Sequence, residues 1–358
     1  MWSFIKWLFY AFSPYVDSFE RKVDKFFQNI KSSDNVFSVQ KELLEFMQKD
    51  LVKVNVWLEK KFKGYKYLTK SVRREMYKNT SLIVLKFNKF CREISISESN
   101  LKLELDSKGL IYPSGNTEQL KYLAYICAFL KPGLYYEYIK TSSFGKLLKN
   151  PAEQKLQGDC NQIVTLYAYL YSLKFPINDL QIKLLHEHVC LHFRGVDIEA
   201  TAGVFIKYPK YEHLIPVTEI ISTNLLDLSD FRESTQKIDE RTMVKSAQLA
   251  YAISSLKSFV AQNLEIAYFN LSISAMKNGD LQTAVFYASK TKNAELKEQV
   301  EKMQFVKRFN ELVTKTANAK TIDDAKKQKS SYTEMLVLAR KLGDDKAVSK
   351  ISEILKQI

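Results

Sequence analysis

The sequence predicts an α+β, mostly helical protein: a helical N-terminal domain, a small core of one helix with antiparallel strands, and a C-terminal array of helical hairpins. Three observations carry that prediction. Apolar residues recur at helix spacing before about residue 131 and again from 234 to 358. Alternation of apolar and polar residues, the strand signature, comes at 180–201. Only 10 Gly and 7 Pro punctuate 358 residues, too few for a turn-rich β architecture. At roughly 100–200 residues per domain the length implies two or three domains. We place them at 1–131, 132–233 and 234–358.

Composition narrows the class further. The chain is 46% hydrophobic and 26% charged, as in globular proteins. No apolar run approaches the ~18–20 residues of a membrane-spanning helix. Four Cys are too few for a disulfide-stapled secreted scaffold. The apolar N-terminus lacks a small-residue cleavage site, so no secretory leader is expected. The expectation is a cytoplasmic protein in a reducing compartment.

Residues 2–12, Trp-Ser-Phe-Ile-Lys-Trp-Leu-Phe-Tyr-Ala-Phe, are dense in aromatics and end before Pro14. Two readings stand: a helix that pads the N-terminal core, or peripheral contact with a membrane surface. Phe19, Val23, Phe26, Phe27 and Ile30 then recur at helix spacing, as do Val39, Leu43, Phe46 and Met47. The formal net charge is +14, and residues 53–92 carry most of it: twelve Lys and Arg against Glu59 and Glu75. Interleaved aromatics, among them Trp57, Phe62, Tyr65 and Tyr67, give the stretch the look of a nucleic-acid surface. The candidate surface for an anionic partner, nucleic acid or membrane, is Lys60, Lys61, Lys63, Lys66, Lys70, Arg73 and Arg74. The alternative is a solvated face whose Lys stems cover apolar neighbours. Leu120, Leu123, Ala124, Cys127 and Leu130 mark one more helix before the central domain.

The central domain holds the residues with chemistry. Gly158-Asp159-Cys160-Asn161-Gln162 opens a helical stripe through Ile163, Leu166, Tyr167, Leu170 and Leu173. Asp159 suits the N-cap, and Gln162 three residues on completes a capping box. That places Cys160 at the first helical position. Leu180, Ile182 and Leu184 read as a strand, and 186–201 as a hairpin turning at Arg194-Gly195. Such a turn pairs 193 with 196, 192 with 197 and 190 with 199. It gathers His188, Cys190, His192, Asp197 and Glu199 on one face. A thiol nucleophile needs a base and an orienter. A helix N-terminus favours a thiolate and offers backbone N–H groups to an oxyanion. His192 with Asp197 forms a second base–acid pair on the same face. His186, His188, Cys190 and His192 with Cys160 also supply zinc-type donors. Four positions along one strand nevertheless spread over roughly 20 Å, so other elements would have to complete such a site.

These motifs, Gly158-Asp159-Cys160-Asn161-Gln162 with its helix to Pro176, then His188-Val189, then Ile198-Glu199-Ala200-Thr201, resemble the transglutaminase-like superfamily, a branch of the papain-like fold. The resemblance covers 158–201 well and 140–230 loosely. It implies Cys160 as nucleophile, His188 as base and Glu199, where the family usually has Asp, as the orienting acid. Gln154 and Gln157 are candidate oxyanion donors. The chemistry implied is acyl transfer or amide hydrolysis through a Cys160 thioester on a protein or peptide substrate, with no cofactor. Ala267, Leu271, Ala275, Asn278-Gly279-Asp280 and Ala284 are similar to a tetratricopeptide unit, with Ser272 in place of its usual Gly. A weaker echo follows at Leu336, Ala339, Gly343, Asp344 and Ala347. Those repeats suit a protein partner. The non-enzymatic alternative is an interaction scaffold working through the repeats and the 53–92 surface, and the remaining alternative is a zinc-binding protein.

Overall fold

The structure, a computed structural model, describes residues 13–208, 213–227, 238–319 and 321–358. The aromatic segment 2–12 lies outside the described residues. The protein is mostly helical with one small antiparallel sheet, and it divides into two compact units, Met1–Asn263 and Leu264–Ile358.

In the first unit, α1 (Ser18–Asn29) starts at Asp17, whose carboxylate accepts from the Phe19 and Glu20 N–H groups. It buries Phe19, Val23, Phe26 and Phe27 on one face. The next helix, α2 (Val36–Leu58), bends at Asp50, where the backbone leaves helical geometry and the carboxylate accepts from Lys53 N at 3.0 Å. Beyond that bend Leu51, Val52, Val54, Val56, Trp57 and Leu58 are buried all round, which makes this half the central post of the unit. A π-helical turn, Glu59–Lys63, ends it, and Gly64 closes the turn at φ +71°. There follow α3 (Lys70–Glu93), α4 (Glu98–Ser107) and α5 (Thr117–Phe129).

Two short parallel strands, β1 (Tyr136–Tyr138) and β2 (Leu156–Gly158), lead into α6 (Cys160–Ser172). The sheet comprises β3 (Gln181–Leu185), β4 (His188–Phe193), β5 (Val196–Glu199), β6 (Val204–Ile206) and β7 (His213–Pro216), in the order β6-β5-β4-β3-β7, antiparallel throughout. Helix α6 packs between α2 and strand β4. Helices α7 (Glu219–Leu226) and α8 (Glu240–Ile253) pack on one another. One continuous core runs from Phe19 to Val260 and includes α2, α5, α6 and the sheet. The boundaries placed at 131 and 233 therefore do not separate cores. The reason lies in α2 and α6, which are apolar on opposite faces and need covering from both sides.

The basic stretch differs most from expectation. Lys63 is 1% exposed and donates from Nζ to the Ser142 carbonyl at 2.6 Å. Arg73 is 2% exposed; Nε donates to Glu20 Oε1 at 2.8 Å, and the guanidinium also reaches the Leu68 and Pro14 carbonyls. Neither can meet an external anion. Lys53 pairs with Asp17 and Asp50. Lys60 and Lys70 are half-buried, whereas Lys61, Lys66 and Arg74 are exposed. The interleaved aromatics Trp57, Tyr65 and Phe87 are core residues.

The second unit continues from α9 (Lys257–Lys277), which begins in the first, through α10 (Leu281–Ser289), α11 (Ala294–Thr316), α12 (Ile322–Lys327), α13 (Lys329–Leu342) and α14 (Asp345–Gln357). Both expected turns are present. Gly279 and Gly343 adopt φ of +74° and +71°, and Asp280 and Asp344 cap the helices that follow. Ala275, Ala284 and Ala288 let the first hairpin close tightly, and the Ser272 hydroxyl donates to the Ala284 carbonyl at 2.8 Å.

Candidate active site

Cys160 owes its place to the chain on either side of it. The Gly158 carbonyl accepts from Ile139 N at 3.1 Å and from the Tyr136 hydroxyl at 2.8 Å, which fixes β2 against β1. A Cβ at Gly158 would come 3.0 Å from the Leu147 side chain and 3.1 Å from that of Gln162, so any larger residue would make both neighbours shift. Asp159 then takes extended backbone geometry and caps α6, accepting from Asn161 N at 3.0 Å, while Gln162 Oε1 accepts from Asp159 N at 3.3 Å. Burial, then the nearby Asp227 carboxylate, pushes Asp159 up to about 7. The Asn161 side chain donates to Asp227 at 3.1 Å and helps hold it at the mouth of the helix.

The second half of the site comes from the sheet. A two-residue turn, His186-Glu187, joins β3 to β4 with Leu185 opposite His188. His186 therefore sits in the turn and not on the strand. The next turn, Arg194-Gly195, has both residues at positive φ, 48° and 89°, the geometry of a tight hairpin turn. It pairs Phe193 with Val196 and His192 with Asp197, the register that parity requires.

This register brings His188 Nε2 to 2.7 Å from Glu199 Oε2. Cys160 lies close enough to His188 to be the first cause of its raised pKa, and with Nε2 held by Glu199, Nδ1 is the nitrogen left for the sulfur. The Cys160 hydrogen bond and then Glu199 raise His188 to about 10, against a smaller opposing effect of burial. Burial alone would raise Glu199. Hydrogen bonds from His188, Thr201 and Tyr208 outweigh it and bring the carboxyl down to about 2. Thr201 donates from its hydroxyl and from N at 3.0 Å, and the Tyr208 hydroxyl donates at 2.6 Å to the oxygen that also meets His188. Cys160 and His188 open into a cleft of about 740 Å³ whose walls include Val189, Leu226, Asp227 and Phe259.

The remaining candidates lie elsewhere. His192 Nδ1 meets Asp197 Oδ1 at 2.6 Å, while its Nε2 accepts from Gly195 N at 3.1 Å. Both of its nitrogens are engaged, and it does not line the cleft. Asp197 is shared with Lys183 Nζ at 2.6 Å and Tyr208 N at 2.9 Å. Gln154 is exposed on a turn and Gln157 donates to Glu137 at 3.3 Å; neither lines the cleft. At the first turn of α6 the N–H groups have no acceptor within the helix, and that of Cys160 itself is the donor nearest the sulfur. The row of zinc-type donors is broken. His186 has left the strand and Cys190 is 0% exposed, and among the described residues no three His, Cys, Asp or Glu converge on a metal position.

Tyr208 and Lys183 escaped the sequence reading. Lys183 falls on the polar positions of the β3 alternation, a pattern that names its face but neither its burial nor its partner. Tyr208 sits past the last strand-like alternation, where nothing local announces a bond to Glu199. Comparison with known proteins returns no match: no family model fits the chain, and no curated protein and no solved structure is similar to it.

Proposed function

We propose that the protein performs acyl chemistry on an amide, with Cys160 as nucleophile, His188 as its base and Glu199 as the acid that orients the imidazole. The observation that carries this reading is the chain of contacts sulfur to imidazole to carboxylate at the start of α6, open to a cleft. In the proposed reaction the His188 imidazolium, kept charged at neutral pH by its neighbours, already holds the thiol proton, and the Cys160 thiolate attacks the amide carbonyl. The Cys160 N–H faces the developing oxyanion. His188 returns the proton to the leaving amine, leaving a Cys160 thioester that water or a second amine resolves. Glu199, held by three donors, keeps the ring in the tautomer that presents Nδ1 to sulfur. Resemblance to the transglutaminase-like superfamily in residues 158–201 supports the same roles. The hairpins of the second unit, similar in sequence to tetratricopeptide units, suit a protein-binding role beside this chemistry.

The test is a cysteine-directed amide-mimic probe at neutral pH, with the labelled peptide identified by mass spectrometry. The expected product is a single adduct on Cys160 that is lost in Cys160→Ala. Labelling of Cys91 in its stead, or no labelling, would overturn the proposal.

A further inference from the structure

We propose that Glu187 is a specificity residue for the chemistry at Cys160, and that it selects a Lys or Arg side chain on the residue that supplies the reacting carbonyl. The inference rests on the acyl chemistry proposed for Cys160. Glu187 is the second residue of the β3–β4 turn and lines the cleft into which Cys160 opens. The next residue is His188, and consecutive Cα atoms lie about 3.8 Å apart. A carboxylate there is within reach of one long side chain carried by the residue under attack at the sulfur.

The charge of the cleft runs against that of the chain. Lys and Arg outnumber Asp and Glu by 54 to 40, yet among the described residues no Lys or Arg lines the cleft. Its lining carboxylates are Glu187 and Asp227. Asp227 is engaged by the side-chain amides of Asn161 and Gln162, at 3.1 and 3.4 Å. Glu187 is exposed and makes no hydrogen bond or ion pair among the described residues, so it is the carboxylate left for a substrate.

The apolar part of the wall suits the stem of the same side chain. Leu184, Leu185 and Leu226 are each partly exposed along the cleft. Phe259, 48% exposed and packed at a steep angle on the His213 ring 5.1 Å away, adds an aromatic surface on which a cation can rest. Lys and Arg lay an aliphatic stem on apolar surface and keep the charged head beyond it. An apolar side chain in that place would cover the Glu187 carboxylate and give it no partner, which counts against it.

Backbone geometry supplies an independent argument. Glu187 takes φ +54° at a turn position where Gly or Asn is usual. A Glu there strains the backbone, and its carboxylate makes no bond within the fold that would offset the strain. A substrate contact gives the residue its reason.

The experiment compares two acyloxymethyl ketone probes, one built on lysine and one on norleucine, which shares the aliphatic stem without the ammonium. At low salt the lysyl probe is expected to label Cys160 about fivefold faster, the scale of a partly exposed ion pair, and the gap should narrow at high salt. Glu187→Gln should bring the ratio to within about twofold of unity by slowing the lysyl probe. Glu187→Gly, which relieves the positive φ, should melt no lower than the parent and lose the preference as well; a purely structural Glu187 would change both probes alike. Equal rates in the parent, faster labelling by the norleucyl probe, or a preference that persists in Glu187→Gln would overturn the inference and leave the Cys160 chemistry standing. Failure of both probes to label Cys160 would overturn the two together.

Discussion

Strands β4 and β5 carry two histidine–carboxylate pairs of nearly equal length, 2.7 Å for His188–Glu199 and 2.6 Å for His192–Asp197. Their surroundings separate them. His188 gives one nitrogen to its acid and turns the other to Cys160. His192 gives its second nitrogen to the Gly195 N–H, and its acid is shared with Lys183. A short bond between imidazole and carboxylate is therefore no mark of a base. What distinguishes the two is whether the far nitrogen has a reacting atom or a backbone amide in front of it. The first pair borders a cleft and suits chemistry; the second closes a turn.

The largest expected effect tests this contrast directly. His188→Ala should lower the rate of Cys160 labelling by an amide-mimic probe about 10²–10⁴-fold, the usual worth of a general base. His192→Ala should leave that rate within about threefold, since it touches neither sulfur nor cleft. Comparable losses in both variants would erase the distinction. Next come the acids. Glu199→Gln should cost about a hundredfold in the same rate with modest loss of stability, because the amide still fills the site. Asp197→Asn should do the reverse, nearly sparing the rate but lowering stability by about 3–5 kcal/mol as Lys183 is left buried without its counter-charge. Urea midpoints and labelling rates on the two variants separate these outcomes.

Much of the site was legible from local rules. The Asp159–Gln162 capping box is an i to i+3 pattern, so it fixes Cys160 at the start of α6 with no tertiary information. The β4–β5 register follows from parity once Arg194-Gly195 is taken as the turn. What stayed hidden depends on distant or atypical partners. The β3–β4 turn contains no glycine; Glu187 takes φ 54° in its stead, so His186 looked like a strand residue. Lys63 and Arg73 read as surface cations because their partners, Ser142 and Glu20, stand 79 and 53 residues away. Charge density along a sequence does not reveal which cations the fold draws inward.

The smallest effect is a pH dependence. His188 rises from an ordinary 6.5 to about 10 on folding, so its contribution to stability is complete below pH 6.5 and lost as pH climbs toward 10. Glu199 falls from 4.5 to about 2, so its contribution is complete above pH 4.5 and lost as pH drops toward 2. The stability difference between the parent and His188→Ala should therefore be greatest between about pH 4.5 and 6.5 and shrink on both sides. Thermal melts across that range measure it, and a difference independent of pH would place the value of the pair in packing and not in charge.

Tyr208 touches both acids with different parts of itself: its hydroxyl holds Glu199 and its backbone N–H holds Asp197. These two ties have unequal evolutionary freedom. A change of side chain at 208 can release or restore the grip on Glu199 in a single step. The grip on Asp197 survives every substitution except proline. Drift at this position can thus retune the acid beside the cleft while the turn-closing acid stays tethered, so reactivity can be adjusted without loosening the hairpin that supports it.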